Sequence, residues 1–225
     1  MVLTRENIRD GVIRRMIADG NYPIPLLSEA EVDASRRAAL ARAGAGTDVW
    51  VFGYGSLMWN PAFHHVERRT GTVHGFHRQF CLWTHLGRGS PERPGLTLGL
   101  ERGGSCHGVA LRIAAEAVED ETTILWRREM VSGAYIPTWV RVRTALGVAP
   151  AIAFTINRHH PRYAGRLNED LIVETIALAA GPVGACADYL FNTVAHLEEV
   201  GVTDHRMRRL RDRVAERCRQ TRPQP

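Results

Sequence analysis

Seven short strand-like segments between residues 49 and 156, interrupted by one helix, constrain the fold more than any other feature of this sequence. They are rich in β-branched and aromatic residues, and glycine, proline and polar residues bound them. The segments span residues 49–52, 71–73, 78–83, 96–100, 107–113, 135–143 and 151–156, with turns predicted at 87–91, 102–104 and 147. Because they do not alternate strictly with helices, the pattern predicts an α+β fold rather than a doubly wound parallel sheet.

Helical patterns precede this region. Thr4 can cap a short helix that ends near Gly20, and residues 22–25 form an extended linker with two prolines. Ser28 and Glu31 then make a capping-box pattern before a second helix, with Gly44 as its stop. Since composition changes at Asp48, we expect an N-terminal helical extension over residues 1–47 and a main domain over residues 48–225.

The internal helix is predicted from about Ala115 to Met130, with an acidic first part that suits the helix dipole. Helices resume after Asn168, with breaks at residues 181–182 and at Gly201. The last helix is crowded with arginines, which account for much of the net charge of +5. Either it presents a solvated face or it binds nucleic acid; interspersed acids and the lack of a recognition motif favour the solvated face.

Composition excludes several kinds of chemistry. The sequence contains 29 arginines and no lysine. No lysine can therefore form a Schiff base or complete a Walker A loop. No segment approaches the roughly 20 apolar residues that span a bilayer, and the first residues lack a secretion signal, so a cytoplasmic protein without membrane insertion is expected. The four cysteines are widely separated, which favours reduced core thiols. The histidines lack metal-ligand spacing and are expected on the surface and in loops.

A glycine-rich segment follows the first predicted strand. Gly53 and Gly55 flank Tyr54, and Ser56 comes next. Glycines there allow backbone N–H groups to approach a carboxylate or an oxyanion, although a plain strand-ending turn has the same pattern. The segment is neither a dinucleotide fingerprint nor a nucleophile elbow, because Met58 stands where both motifs need glycine.

Glu129 lies in the predicted last turn of the internal helix. A carboxylate beside the negative end of a helix dipole is harder to ionise, which suits a general base. The alternative is a surface glutamate paired with Arg127 or Arg128.

Together, residues 52–57 and 128–135 resemble the ChaC family of γ-glutamylcyclotransferases, and residues 75–80, 93–96, 106–110 and 163–190 are similar to it as well. The resemblance covers about residues 48–210. It implies a small mixed β-barrel of about six to seven strands with surrounding helices. It also implies conversion of glutathione to 5-oxoproline and cysteinyl-glycine without a cofactor or metal.

The resemblance assigns a role to each motif. It places the γ-glutamyl group on a substrate-binding loop formed by Gly53, Tyr54, Gly55, Ser56, Leu57 and Met58, and it makes Glu129 the catalytic acid/base. Tyr135 and Tyr163 are further candidates for substrate contact. The substrate is then the one small-molecule partner expected. Three alternatives stay open: other γ-glutamyl amines or peptides, a non-catalytic regulator associated with cation transport, and nucleic-acid binding by the last helix.

Overall fold

A closed barrel of five strands is the main sheet of this protein in the computed structural model, which describes residues 3–20, 22 and 24–221. The strands are β1 (Val49–Gly53), β2 (Glu67–Thr84), β3 (Gly95–Ile113), β4 (Tyr135–Thr144) and β5 (Gly147–Ile156). Their order is β1-β3-β2-β4-β5, and β5 closes the barrel on β1 and β3. The β1–β5 pairing is parallel, whereas β1–β3 and β4–β5 are antiparallel. The predicted α+β fold with a mixed barrel is confirmed.

Two of the five strands each merge two predicted segments, so the seven predicted segments form five strands. β2 has 18 residues and β3 has 19, where the sequence pattern predicted two short strands each. Gly75 in β2 and Gly103 and Gly104 in β3 adopt positive φ angles of 84°, 98° and 72° inside these strands. The predicted turn at 102–104 is therefore wrong, because left-handed glycines can bend a continuous strand as well as end it.

Seven α-helices and a small sheet complete the described chain. The helices are α1 (Arg5–Arg9), α2 (Val12–Asp19), α3 (Glu29–Leu40), α4 (Val118–Glu129), α5 (Glu169–Leu178), α6 (Cys186–Glu199) and α7 (His205–Thr221). The small sheet pairs β6 (Ala180–Gly181) with β7 (Gly184–Ala185). No helix in the described ranges is long and apolar enough to cross a membrane.

The helix signals in the N-terminal region are largely confirmed. Thr4 and Ser28 both form capping boxes, at the starts of α1 and α3. The first predicted helix is divided in two because Gly11, with a φ of 76°, begins a new helix there. Of the predicted linker, Pro23 lies outside the described residues.

The chain forms two compact units. One contains residues 3–79 and 99–160, including helices α1 to α4; the other contains residues 80–98 and 161–221, including α5 to α7 and the small sheet. β2 and β3 contribute residues to both units. The boundary at residue 48 stays a prediction.

In the second unit, the arginines of α7 are largely engaged in ion pairs with α5 and α6. Arg209 and Arg213 share Glu169, Arg217 binds Glu174, and Arg208 binds Glu198. These acids neutralise much of the positive charge that the sequence concentrates in α7. The ion pairs therefore favour a solvated helix face over nucleic-acid binding.

The cysteines agree with the expectation of reduced core thiols. All four are thiols outside any disulfide, and Cys81, Cys106 and Cys186 are buried. Burial raises the pKa of the Cys186 thiol to about 11, and its Sγ lies 3.1 Å from the carbonyl oxygen of Leu96. A thiol of that pKa is a poor nucleophile at neutral pH.

In the first unit, α1 and α3 pack against α4. Arg5 makes a bidentate ion pair with Glu121, whose side chain is only 5% exposed. Arg36 is buried and binds Glu119, and the indole nitrogen of Trp126 donates to Ser35 Oγ at 3.3 Å. Several polar contacts therefore fix α4 from this side.

The Arg5–Glu121 pair gives a test of this packing. Arg5→Met leaves a buried carboxylate without its cation, so we expect the free energy of unfolding to fall by about 2–3 kcal/mol. The matched control is Arg9→Met in the same helix, because Arg9 is exposed and makes no side-chain ion pair among the described residues. Urea unfolding followed by circular dichroism measures both; equal stability of the two variants would contradict the assignment.

Candidate active site

The glycine loop occupies residues 53–58, directly after β1. Its second half is a 3-10 turn over Ser56–Met58, closed by a hydrogen bond from Met58 N to Gly55 O of 2.9 Å. Among the described residues, the backbone N–H groups of Gly55, Ser56 and Leu57 have no hydrogen-bond acceptor. Successive unpaired N–H groups of this kind can bind an anion or a developing oxyanion.

The backbone of this loop lies very close to β3. A Cβ atom on Gly108 would stand 2.3 Å from the carbonyl oxygen of Gly53 and 2.8 Å from the ring of Phe52. Only glycine at position 108 permits this approach. Tyr54 lies within the protein, where its hydroxyl donates to the carbonyl oxygen of Phe154 at 2.7 Å. The Tyr54 hydroxyl therefore anchors the loop to β5.

Arg78 supports the same loop and was not predicted as a site residue. Its guanidinium is buried and donates to the carbonyl oxygens of Tyr54, at 2.8 Å, and of His107. The one signal in the sequence is an arginine at the start of an otherwise apolar strand segment. Because such a charge must be satisfied when it is buried, it bonds the backbone of the loop and of β3.

Glu129 is the last residue of α4, and its side chain is 15% exposed. Burial raises the pKa of this carboxyl above its usual value, while the neighbouring Arg128 acts in the opposite direction. The pairing with Arg128 that the surface alternative proposed is present, but the glutamate is not a solvated surface residue. Its carboxyl has the perturbed ionisation that a general acid/base needs.

Arg128 brings the two predicted motifs together. Its Nε lies 3.0 Å from Oε1 of Glu129, and its Nη2 donates to Ser56 Oγ at 2.8 Å. Its Nη1 donates to the carbonyl oxygen of Asn60. Arg127 instead donates to the carbonyl oxygen of Arg9 at 2.7 Å. The glycine loop and Glu129 are thus joined through one guanidinium group.

The turn after Glu129 is held by three separate hydrogen bonds of 3.0 Å each. Leu27 N donates to the carbonyl oxygen of Val131, the His160 ring bonds that of Ser132, and the Asn157 amide donates to that of Gly133. His160 lies in a loop, as expected for the histidines, but it is buried. This network fixes the end of α4 and therefore Glu129.

The two tyrosine candidates occupy different units. Tyr135 is the first residue of β4, opposite Ile156 of β5, in the unit that holds Glu129. Tyr163 lies in the other unit, where it forms an isolated bridge with Leu82. Within the described ranges, no cluster of three or more His, Cys, Asp or Glu side chains is arranged to hold a metal ion.

Comparison with known proteins identifies the family of this chain. Residues 49–217 match the model of the ChaC-like protein family. The chain belongs to the ChaC-like family. It is 43% identical over 180 residues, 80% of this chain and 78% of the other, to the glutathione-specific gamma-glutamylcyclotransferase of Escherichia coli (strain K12). It is 32% identical over 158 residues to glutathione-specific gamma-glutamylcyclotransferase 1 of Mus musculus, covering 68% and 71% of the two chains.

A solved structure supports the ChaC-like fold. The crystal structure of the yeast gamma-glutamyl cyclotransferase specific to glutathione superposes with a TM-score of 0.69. It covers 76% of this chain and 96% of that one at 22% sequence identity. The region matched to the family contains the glycine loop, Arg78, Arg128 and Glu129, whereas residues 3–48 precede it.

Proposed function

We propose that this protein is a glutathione-specific γ-glutamylcyclotransferase that releases 5-oxoproline and L-cysteinyl-glycine. The observation that carries the proposal is a buried carboxyl, Glu129, joined through Arg128 to a loop with unpaired backbone N–H groups. The names of the two relatives support the choice of glutathione over other γ-glutamyl compounds.

In the proposed reaction the substrate supplies its own nucleophile. The α-amine of the γ-glutamyl group attacks the γ-carbonyl carbon and closes a five-membered ring, and the amide bond to cysteine breaks. Glu129 removes one proton from the α-ammonium group and returns it to the leaving amine. The ring nitrogen then loses its second proton, which ends on the released amino group of cysteinyl-glycine, so the enzyme is regenerated unchanged. Binding the folded substrate in a near-attack geometry supplies much of the remaining rate enhancement.

We assign the glycine loop to substrate binding and charge stabilisation. The N–H groups of Gly55, Ser56 and Leu57 are available to the γ-glutamyl group and to the oxyanion that forms on its carbonyl oxygen. Gly53, Tyr54 and Met58 shape the loop: Gly53 ends β1, Tyr54 anchors the loop, and Met58 closes the turn. We further propose that the reaction takes place in the cytoplasm and needs no metal or cofactor. The protein neither binds nucleic acid nor inserts into a membrane.

Substrate and cofactor requirements are tested together. Protein dialysed against EDTA should release 5-oxoproline and cysteinyl-glycine from reduced glutathione, as detected by mass spectrometry. Faster release from γ-glutamyl-alanine, with glutathione inert, would indicate a cyclotransferase for other γ-glutamyl compounds. Loss of activity with EDTA and recovery with a divalent ion would contradict the proposed mechanism. A protein inert toward every γ-glutamyl substrate would favour the non-catalytic regulator.

Glu129→Gln tests the acid/base. It keeps size and hydrogen bonding but cannot exchange a proton, so kcat should fall at least about 100-fold. Glu116→Gln is the matched control, because Glu116 is exposed in the 3-10 turn just before α4. Glu119 and Glu121 are unsuitable controls, since they bind Arg36 and Arg5. A folded Glu129→Gln protein with near-normal 5-oxoproline release would exclude this role.

The pH profile tests the ionisation of Glu129. Because burial raises the pKa of its carboxyl and the deprotonated form is the base, activity should be lost as pH falls through that raised pKa. The acid limb of kcat should therefore lie above about 4.3, the ordinary pKa of glutamate. Initial rates between pH 4 and 8 measure it, and a limb at or below the ordinary value would contradict this assignment.

A further inference from the structure

Each side-chain nitrogen of Arg128 bonds an acceptor within the protein. Its side chain is only 7% exposed, and its three nitrogen atoms face three acceptors: Glu129 Oε1, Ser56 Oγ and the carbonyl oxygen of Asn60. Ser56 and Asn60 lie 72 and 68 residues earlier in the chain. A planar guanidinium with its donors in a fixed fork can hold such acceptors in a defined relative position.

The direction of the bond to Ser56 has a chemical consequence. A guanidinium can only donate, so Ser56 Oγ must accept the hydrogen from Nη2. The hydroxyl proton of Ser56 is not used in this bond, and among the described residues no acceptor for it is found. Ser56 is therefore set to donate its O–H to a ligand.

The same argument applies to Glu129. Its Oε1 accepts from Arg128, and among the described residues Arg128 is its one hydrogen-bonding partner. Oε2 is left to exchange a proton with a bound ligand. The guanidinium of Arg128 thus leaves the O–H of Ser56 and the Oε2 atom of Glu129 available to a ligand.

We propose that Arg128 is a positioning residue that presents the Ser56 hydroxyl as a donor and Glu129 Oε2 as a proton acceptor to the same γ-glutamyl group. The proposal rests on the proposed function. In that setting the Ser56 O–H donates to an oxygen of the γ-glutamyl group, and Oε2 receives the proton of its ammonium. Arg128 itself transfers no proton.

The third bond of Arg128 keeps the guanidinium from rotating. The Asn60 carbonyl accepts from Nη1, and the Asn60 side-chain amide donates to the carbonyl oxygen of Leu3 at 2.9 Å. The acceptor is thus tied to the N-terminal segment, which lies outside the family match. With Nη1 and Nη2 both engaged, the plane of the group is set relative to the loop.

Four substitutions separate positioning from charge. Arg128→Met removes the cation and the fork, and Arg128→Lys keeps the cation without the fork. Arg127→Met is the matched control: it is the adjacent arginine of the same helix, it is 36% exposed, and it bonds Arg9 and Glu29. Ser56→Ala, alone and combined with Arg128→Met, reports whether the hydroxyl acts through Arg128.

We expect kcat of Arg128→Met to fall by about 10- to 100-fold, with a smaller change in KM, because a charge-assisted hydrogen-bond network is lost. Its acid limb should move to higher pH, since the cation that favours ionised Glu129 is gone. Arg128→Lys should restore the acid limb but not kcat. Ser56→Ala should cost less in the Arg128→Met background than in the wild type, and Arg127→Met should stay within about twofold of wild type.

Three results would overturn the proposal: Arg128→Met with wild-type kcat and acid limb, Arg128→Lys with wild-type kcat, or strictly additive effects of Ser56→Ala and Arg128→Met. Circular dichroism checks folding, and Arg128→Lys carries the test if Arg128→Met does not fold.

A measurement without turnover separates this proposal from the proposed function. Titration of the Glu129 carboxyl by 13C NMR, with the signal assigned by its loss in Glu129→Gln, needs no substrate. If the wild type releases no 5-oxoproline, the proposed function fails and the titration decides the role of Arg128. Glu129 should titrate at higher pH in Arg128→Met and as in wild type in Arg127→Met. An unchanged titration in Arg128→Met would exclude the coupling whatever the activity.

Discussion

The contact between the carboxylate of Glu129 and the guanidinium of Arg128 is the interaction on which the candidate site depends. Removing a carboxylate from water is costly unless a charge or donors compensate. Arg128 gives partial compensation, but it is itself buried and must be satisfied by Ser56 and Asn60. The ionisation of Glu129 is therefore coupled to the geometry of a loop far away in the sequence.

That loop geometry depends in turn on backbone packing. The carbonyl oxygen of Gly53 approaches β3 where Gly108 has no side chain, and Arg78 binds the carbonyl of Tyr54. Because these bonds use carbonyl groups, they leave the N–H groups of Gly55, Ser56 and Leu57 unpaired. The loop is thus held through its acceptors while its N–H donors stay unpaired, and unpaired donors are what an oxyanion requires.

The sequence predicts the parts of this site better than their connections. The capping boxes of α1 and α3 and the helix that ends at Glu129 depend on local patterns, and they occur close to where those patterns place them. The lengths of β2 and β3 do not follow locally, because a left-handed glycine serves a turn and a strand bend equally. Arg78 and Arg128 are two among 29 arginines, and only the fold shows that they are buried.

The segment before the family match takes part in the same arrangement. Leu27 bonds the turn after Glu129, Leu3 bonds Asn60, and Arg5 neutralises Glu121 on α4. Each contact reaches either the helix that carries Glu129 or the residue that satisfies Arg128. A helix end that carries a buried charge must be fixed on every side, because a small displacement would separate the ion pair and leave each charge poorly solvated. Leu3, Arg5 and Leu27 supply that support on one side. Asn157 and His160 supply it from the loop after β5.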